Sequence, residues 1–205
     1  MIDPVHTIAI HEAAHAAVAF ALGRADSDVI VQCRFTDGLH LSGYVGEFRA
    51  ERAVSVDDIE VISVGSPETW AKPDKGDYLL FLPKAIIAAA GPIAQMMIGA
   101  GDHGREGDDR IIANMASLTH YATGRNPEAW TRLVHRTTRQ VLRVPLVWRS
   151  VEHLADALKR GLRLEMMRAE YDGRQFVEYC VPSAESEHLL CEGGGRRGLF
   201  KIGDA

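Results

Sequence analysis

The chain has 205 residues, 46% hydrophobic and 25% charged, with a formal net charge of −5. That is the balance of an ordinary globular domain, and a single domain of this length buries a sizeable core. An acidic balance argues against a general nucleic-acid binder, and three scattered cysteines, Cys33, Cys180 and Cys191, offer neither a disulfide framework nor CxxC spacing.

No secretory leader is expected in these residues: Asp3 and His6 interrupt the start, and no basic segment precedes the apolar run. Residues 8–22 form a strongly apolar helix, with Asp3 and Pro4 at its start and Gly23 at its end. Within it stands His11-Glu12-Ala13-Ala14-His15, an HExxH motif. Histidines at i and i+4 share one helix face, so two imidazoles can reach one tetrahedral zinc. The intervening Glu12 is then placed to act on a zinc-bound water and not to ligate the metal. The competing reading is two hydrogen-bonded core histidines. Apolar residues surround the motif on all sides, and buried polar groups need partners, which a metal supplies.

Residues 29–35 are rich in β-branched side chains and predict a strand. Asp37-Gly38 predicts a turn, and 39–45 the returning strand of a hairpin. Within 49–77, residues 61–64 are a candidate further strand and 65–76, with Pro67 and Pro73, a loop. Residues 78–98 predict one or two helices broken at Gly91-Pro92. Lys84, Gly91, Pro92 and Gln95 interrupt this second apolar run, which reads as core. Neither apolar run is suited to span a bilayer, and a soluble cytoplasmic protein is expected.

A glycine-rich turn at 99–107 leads into a helix over 108–121, with Ile111, Ile112, Met115, Ala116 and Leu118 on its apolar face. Asn126-Pro127 starts the next helix, Pro145 stops it, and Ser150 is read as the cap of the one after. Arg132, Arg136, Arg139 and Arg143 make a basic stripe, read as a solvated face or a dock for an acidic partner. From Pro182 the composition turns to Ser, Glu and Gly. The expected organisation is one domain over 1–181 and a loosely held tail over 182–205.

A catalytic zinc needs a third protein ligand. The densest candidates are Asp102, His103, Glu106, Asp108 and Asp109, where the glycine-rich turn meets a helix. At this point the chain resembles the protease domain of the FtsH-type ATP-dependent zinc metallopeptidases. The matching pieces, in order, are His11-Glu12-Ala13-Ala14-His15-Ala16 for the HEAGHA stretch, Leu41-Ser42-Gly43-Tyr44, Ala90-Gly91-Pro92-Ile93-Ala94-Gln95 for a GGRAAE-like stretch, and Gly107-Asp108-Asp109. Leu154-Ala155-Asp156-Ala157-Leu158 and Asp172-Gly173 resemble the family's closing helix and turn. The likeness runs from Thr7 to Tyr179. Ala14, Pro92, Ile93 and Gln95 depart from the family pattern, and residues 49–77 are an expected insertion against it.

The resemblance implies an α+β, mainly helical fold: a zincin-like metallopeptidase core with a small hairpin or sheet beside the HExxH helix. It implies zinc held by His11, His15 and an aspartate. Ungapped alignment from Gly104 and the inward face of the helix favour Asp108, with Asp109 the alternative. Either can instead cap the helix N-terminus. The 205 residues hold no Gly-x-x-x-x-Gly-Lys-Ser/Thr sequence, so the expectation is a peptidase core without its own ATPase or membrane helices. The expected activity is hydrolysis of peptides or unfolded proteins, by an endopeptidase more than an exopeptidase, with Glu12 as the catalytic base. An edge strand near Leu41 to Gly46 offers an extended peptide a place to add. The other expectation is a metallopeptidase fold kept as a peptide-binding or regulatory module.

Overall fold

The computed structural model describes residues 3–24, 28–34, 40–45, 75–100 and 106–200. Helix α1 (Pro4–Ala21) begins where Pro4 removes a backbone donor that would have no partner. The Asp3 carboxylate accepts from the backbone N–H of Val5 at 3.1 Å. The helix is buried nearly from end to end, so it cannot be a surface helix with one apolar stripe; other elements must surround it.

Those elements come from the whole chain. Strands β1 (Val29–Arg34) and β2 (His40–Val45) pair antiparallel, with Val31 opposite Gly43. A third strand, β3 (Phe176–Val181), pairs antiparallel with the other edge of β1 and places Tyr179 opposite Val31. The sheet order is β2-β1-β3. Helices α2 (Lys75–Ala88) and α3 (Ala90–Met97) follow, then α4 (Glu106–Thr123), α5 (Pro127–Leu142), α6 (Pro145–Asp172) and α7 (Ser183–Glu192). The architecture is mainly helical with one small three-stranded antiparallel sheet. Helix α6 packs along α1 on one side, and α3 on another. Leu154, Leu158 and Leu162 of α6 are fully buried in the shared core.

Several boundaries differ from the sequence reading. The break in the second apolar run falls at Ala89 and not at Gly91-Pro92, which lie inside α3. Pro92 still causes it, since Pro92 has no N–H to offer the Ala88 carbonyl. Pro145 both ends α5 and opens α6, with Val144 in extended conformation before it. Ser150 is therefore inside α6 and is not its cap. Its buried hydroxyl donates to the Leu190 carbonyl at 2.7 Å. Strand β3 has no counterpart in the sequence reading. The expected turn at Asp37-Gly38, the candidate strand at 61–64 and all of the expected insertion but 75–77 lie outside the described residues; 75–77 belong to α2.

Residues 182–200 also differ from a loosely held tail. They form α7 and then return to the HExxH helix. Gly198 N–H donates to the Phe20 carbonyl at 3.1 Å, and Phe200 N–H to the Ala21 carbonyl at 2.9 Å. The last carbonyls of α1 have no partners within the helix, and this segment supplies them. The glycines that suggested looseness serve close packing instead. A Cβ on Gly193 would lie 2.5 Å from the Ser150 Cα, and one on Gly195 would lie 2.6 Å from the Ser150 hydroxyl. Residues 201–205 lie outside the described residues. Among the described residues, no helix is long and apolar enough to cross a membrane.

Candidate metal centre

His11 and His15 project from one face of α1, with ring centroids 4.7 Å apart and the rings steeply inclined at 75°. Both are buried. Asp108 reaches them from the first turn of α4. Its Oδ2 lies 3.0 Å from His11 Nε2 and 3.5 Å from His15 Nε2. One ligand atom from each of the three residues can be chosen so that all lie within 4.8 Å of one another. Asp109, the alternative from the sequence, is outside this group. The glycine-rich turn over 101–105, with Asp102 and His103, is outside the described residues.

The orientation of His15 is fixed from behind. Its Nδ1 donates to the backbone carbonyl of Ile87 at 2.6 Å, leaving Nε2 to face Asp108. Ile87 stands two residues before the helix break at Ala89. The neighbouring Ile86 carbonyl likewise accepts from a side chain of another helix, the buried Thr138 hydroxyl, at 3.1 Å. The break thus sits where backbone carbonyls hold residues on α1 and α5.

Two glycines shape the site at closer range. A Cβ on Gly91 would lie 2.5 Å from His11 Nε2 and 2.6 Å from His15 Nε2. Only a bare backbone can pass there without filling the space between the two nitrogens. A Cβ on Gly43 would lie 2.6 Å from Glu12 Cγ and 2.8 Å from its Oε1. Strand β2 therefore crosses directly over the Glu12 side chain, and glycine in a strand interior marks that close approach.

Burial pushes the Glu12 carboxyl up to about 8; the charge of Asp108 adds to the rise and His11 opposes it. Burial also acts on Asp108, but hydrogen bonds and charge from His11 and His15 outweigh it and hold the carboxyl down to about 2. For His15, burial favours the neutral ring, and the Asp108 carboxylate with the Ile87 carbonyl overcomes it, leaving the ring more basic than usual. Asp108 and His15 thus favour their charged forms and Glu12 its neutral one, side by side in an apolar helix bundle.

The cluster can hold a metal ion. Its chemistry fits a divalent ion of borderline softness: two imidazole nitrogens and one carboxylate oxygen. Ligands ~2.0–2.1 Å from a tetrahedral zinc lie ~3.3 Å apart, close to the two separations measured from Asp108. A ligating histidine held by a carbonyl through its other nitrogen, as His15 is, is the usual support of such a site. The space kept open by Gly91, bordered by both Nε2 atoms, completes the fit.

No protein-family model matches this chain, and no curated protein matches it. The functional argument therefore rests on the site itself. Of the residues read from the sequence, the structure brings His11, Glu12, His15 and Asp108 together and leaves Asp109 out of the cluster. The sequence reading did not assign the roles of Gly43 and Gly91, although both stood in quoted motifs; an interior strand glycine was the available signal for Gly43. The Ile87 carbonyl is a backbone group and carries no side-chain signature.

Proposed function

We propose that this chain is a zinc-dependent peptidase, an endopeptidase with a zincin-like core related to the FtsH-type metallopeptidases. The observation that carries the reading is the buried His11–His15–Asp108 cluster with the Glu12 carboxyl beside it. Three protein donors are the complement of a catalytic zinc, which keeps a further position for a reacting group. When bound, zinc supplies Lewis acidity that polarises a carbonyl and makes water a better nucleophile at neutral pH.

Glu12 does the proton work. It follows a ligand by one residue, so it is close to the cluster without belonging to it. Burial alone would keep the Glu12 carboxyl protonated near neutral pH; a bound dication beside it would favour the carboxylate, which would accept a proton from the attacking water and pass it to the leaving amine. The apolar walls of α1 exclude bulk water, and the close approach of Gly43 limits how far the Glu12 side chain can swing. Strand β2 is an edge of the sheet among the described residues. An extended peptide added to that edge would run past Glu12, because Gly43 is part of the strand. This proximity of a strand edge to the carboxyl favours peptides over other hydrolysable substrates.

The test compares wild type with Glu12→Gln on a disordered protein such as a casein, with zinc content measured in both. The substitution keeps size and removes the base. Equal zinc content and cleavage reduced by at least about 100-fold, the scale of a lost general base, is the expected result. Equal cleavage by the two proteins would sink the role of Glu12. Zinc-loaded wild type that cleaves no unfolded protein or peptide would turn the reading toward a peptide-binding module.

A further inference from the structure

His11 and His15 are not supported alike. His15 Nδ1 has the Ile87 carbonyl. His11 Nδ1 is buried and has no hydrogen-bond partner among the described residues. A second orphan is Gln95, which is 2% exposed and whose side-chain Oε1 is also buried without a hydrogen-bond partner among the described residues. One lacks an acceptor for its N–H and the other lacks a donor. A buried polar atom left unpaired is costly, so each of the two calls for a physical explanation.

The helix register places them together. On the α2–α3 segment, Ile87 meets His15, and Gly91, four residues on, meets both His15 and His11. The segment therefore runs antiparallel to α1 along this face. Gln95 is the next residue at four-residue spacing, on the same face as Gly91. Long side chains on a helix lean back toward its N-terminus, which carries the Gln95 amide toward Gly91 and the His11 ring. The amide has the length and torsional freedom to turn its oxygen onto His11 Nδ1.

We propose that Gln95 is the positioning residue for His11: its side-chain carbonyl accepts the Nδ1–H and fixes the tautomer that presents Nε2 to the metal. It would do from a side chain what Ile87 does for His15 from the backbone. The acceptor is neutral, so the centre would carry a single acidic residue, Asp108, among the groups that ligate or orient. The proposal rests on the zinc reading above and extends it to a residue that does not touch the metal.

The experiment measures the zinc affinity of the metal-free protein by competition with a chromophoric chelator, for wild type, Gln95→Met and Gln95→Glu. The imidazole N–H proton resonances of the zinc-loaded forms are recorded alongside. Methionine matches the shape of glutamine without its acceptor; glutamate keeps an acceptor. The expected result is a loss of about 10–100-fold in affinity for Gln95→Met, with affinity restored in Gln95→Glu. Wild type and Gln95→Glu show two slowly exchanging histidine N–H signals, and Gln95→Met shows one. Wild-type affinity and both signals in Gln95→Met would overturn the proposal while leaving the zinc site standing. Equal loss in Gln95→Met and Gln95→Glu would assign Gln95 to packing alone. Absence of zinc binding by wild type would overturn the zinc reading and this proposal with it.

Discussion

One added methyl group at the site meets different side chains at two glycines. At Gly91 an added Cβ lands between the two histidine nitrogens; at Gly43 it lands on the Glu12 side chain. Gly91→Ala should therefore abolish zinc binding, measured by elemental analysis. Gly43→Ala should retain zinc and lose peptide hydrolysis, because only Glu12 is displaced. If Gly91→Ala bound zinc as wild type does, the ion would not lie where the two nitrogens converge. The two neighbouring aspartates give a second contrast. Asp108→Ala removes the carboxylate shared by both histidines and should weaken zinc binding by more than the ~10–100-fold typical of outer residues. Asp109→Ala, outside the cluster, should change it little. Zinc released by Asp109→Ala alone would mean that α4 docks in a different register.

At the scale of elements, α1 owes its position to burial on all sides, and α6 supplies much of the cover. Leu158 of α6 is fully buried. Leu158→Ala should destabilise the protein by about 2–5 kcal/mol, the range for large-to-small changes in a packed core, read as a lower denaturation midpoint. The elements near the site were legible in the sequence to different degrees, for physical reasons. Helix α1 was legible because HExxH spacing, the Asp3 cap and Pro4 all agree. Asn126 and Pro127 marked α5 equally well, and the Asn126 side chain accepts from the Ala129 N–H at 2.9 Å. Strand β3 was passed over, although Val177 and Val181 are buried on one side and Gly173 and Pro182 bracket it. Its partner β1 is some 140 positions earlier in the sequence, and no local turn joins them. The break at Ala89 was assigned two residues late because a proline disrupts the hydrogen bond to the carbonyl four residues before it, upstream of its own position. Of the candidate site, the side chains were legible and their backbone supports were not. The HExxH spacing and the carboxylate turn announced His11, Glu12, His15 and Asp108, but nothing in a side-chain pattern announces a carbonyl such as that of Ile87.

Across the whole molecule, the HExxH helix is enclosed by segments remote from it in sequence. Helix α6 packs along it, and residues 198 and 200 hydrogen-bond to its final turn. The N–H of Ser183, at the start of α7, is tied to the Asp28 carboxylate just before β1 at 2.8 Å. During synthesis, the ribosome releases His11 and His15 long before it releases Asp108, and Asp108 well before the residues that close over the end of α1. The emerging chain thus holds an unusually apolar helix before α6, the element that covers it most, has been made. A nascent chain stalled before α4 has two imidazoles and lacks the Asp108 carboxylate, so the group that could hold a metal ion is complete only once α4 has been made. The order of residues along the polypeptide itself delays assembly of the His11–His15–Asp108 group until the walls that confine it are being built.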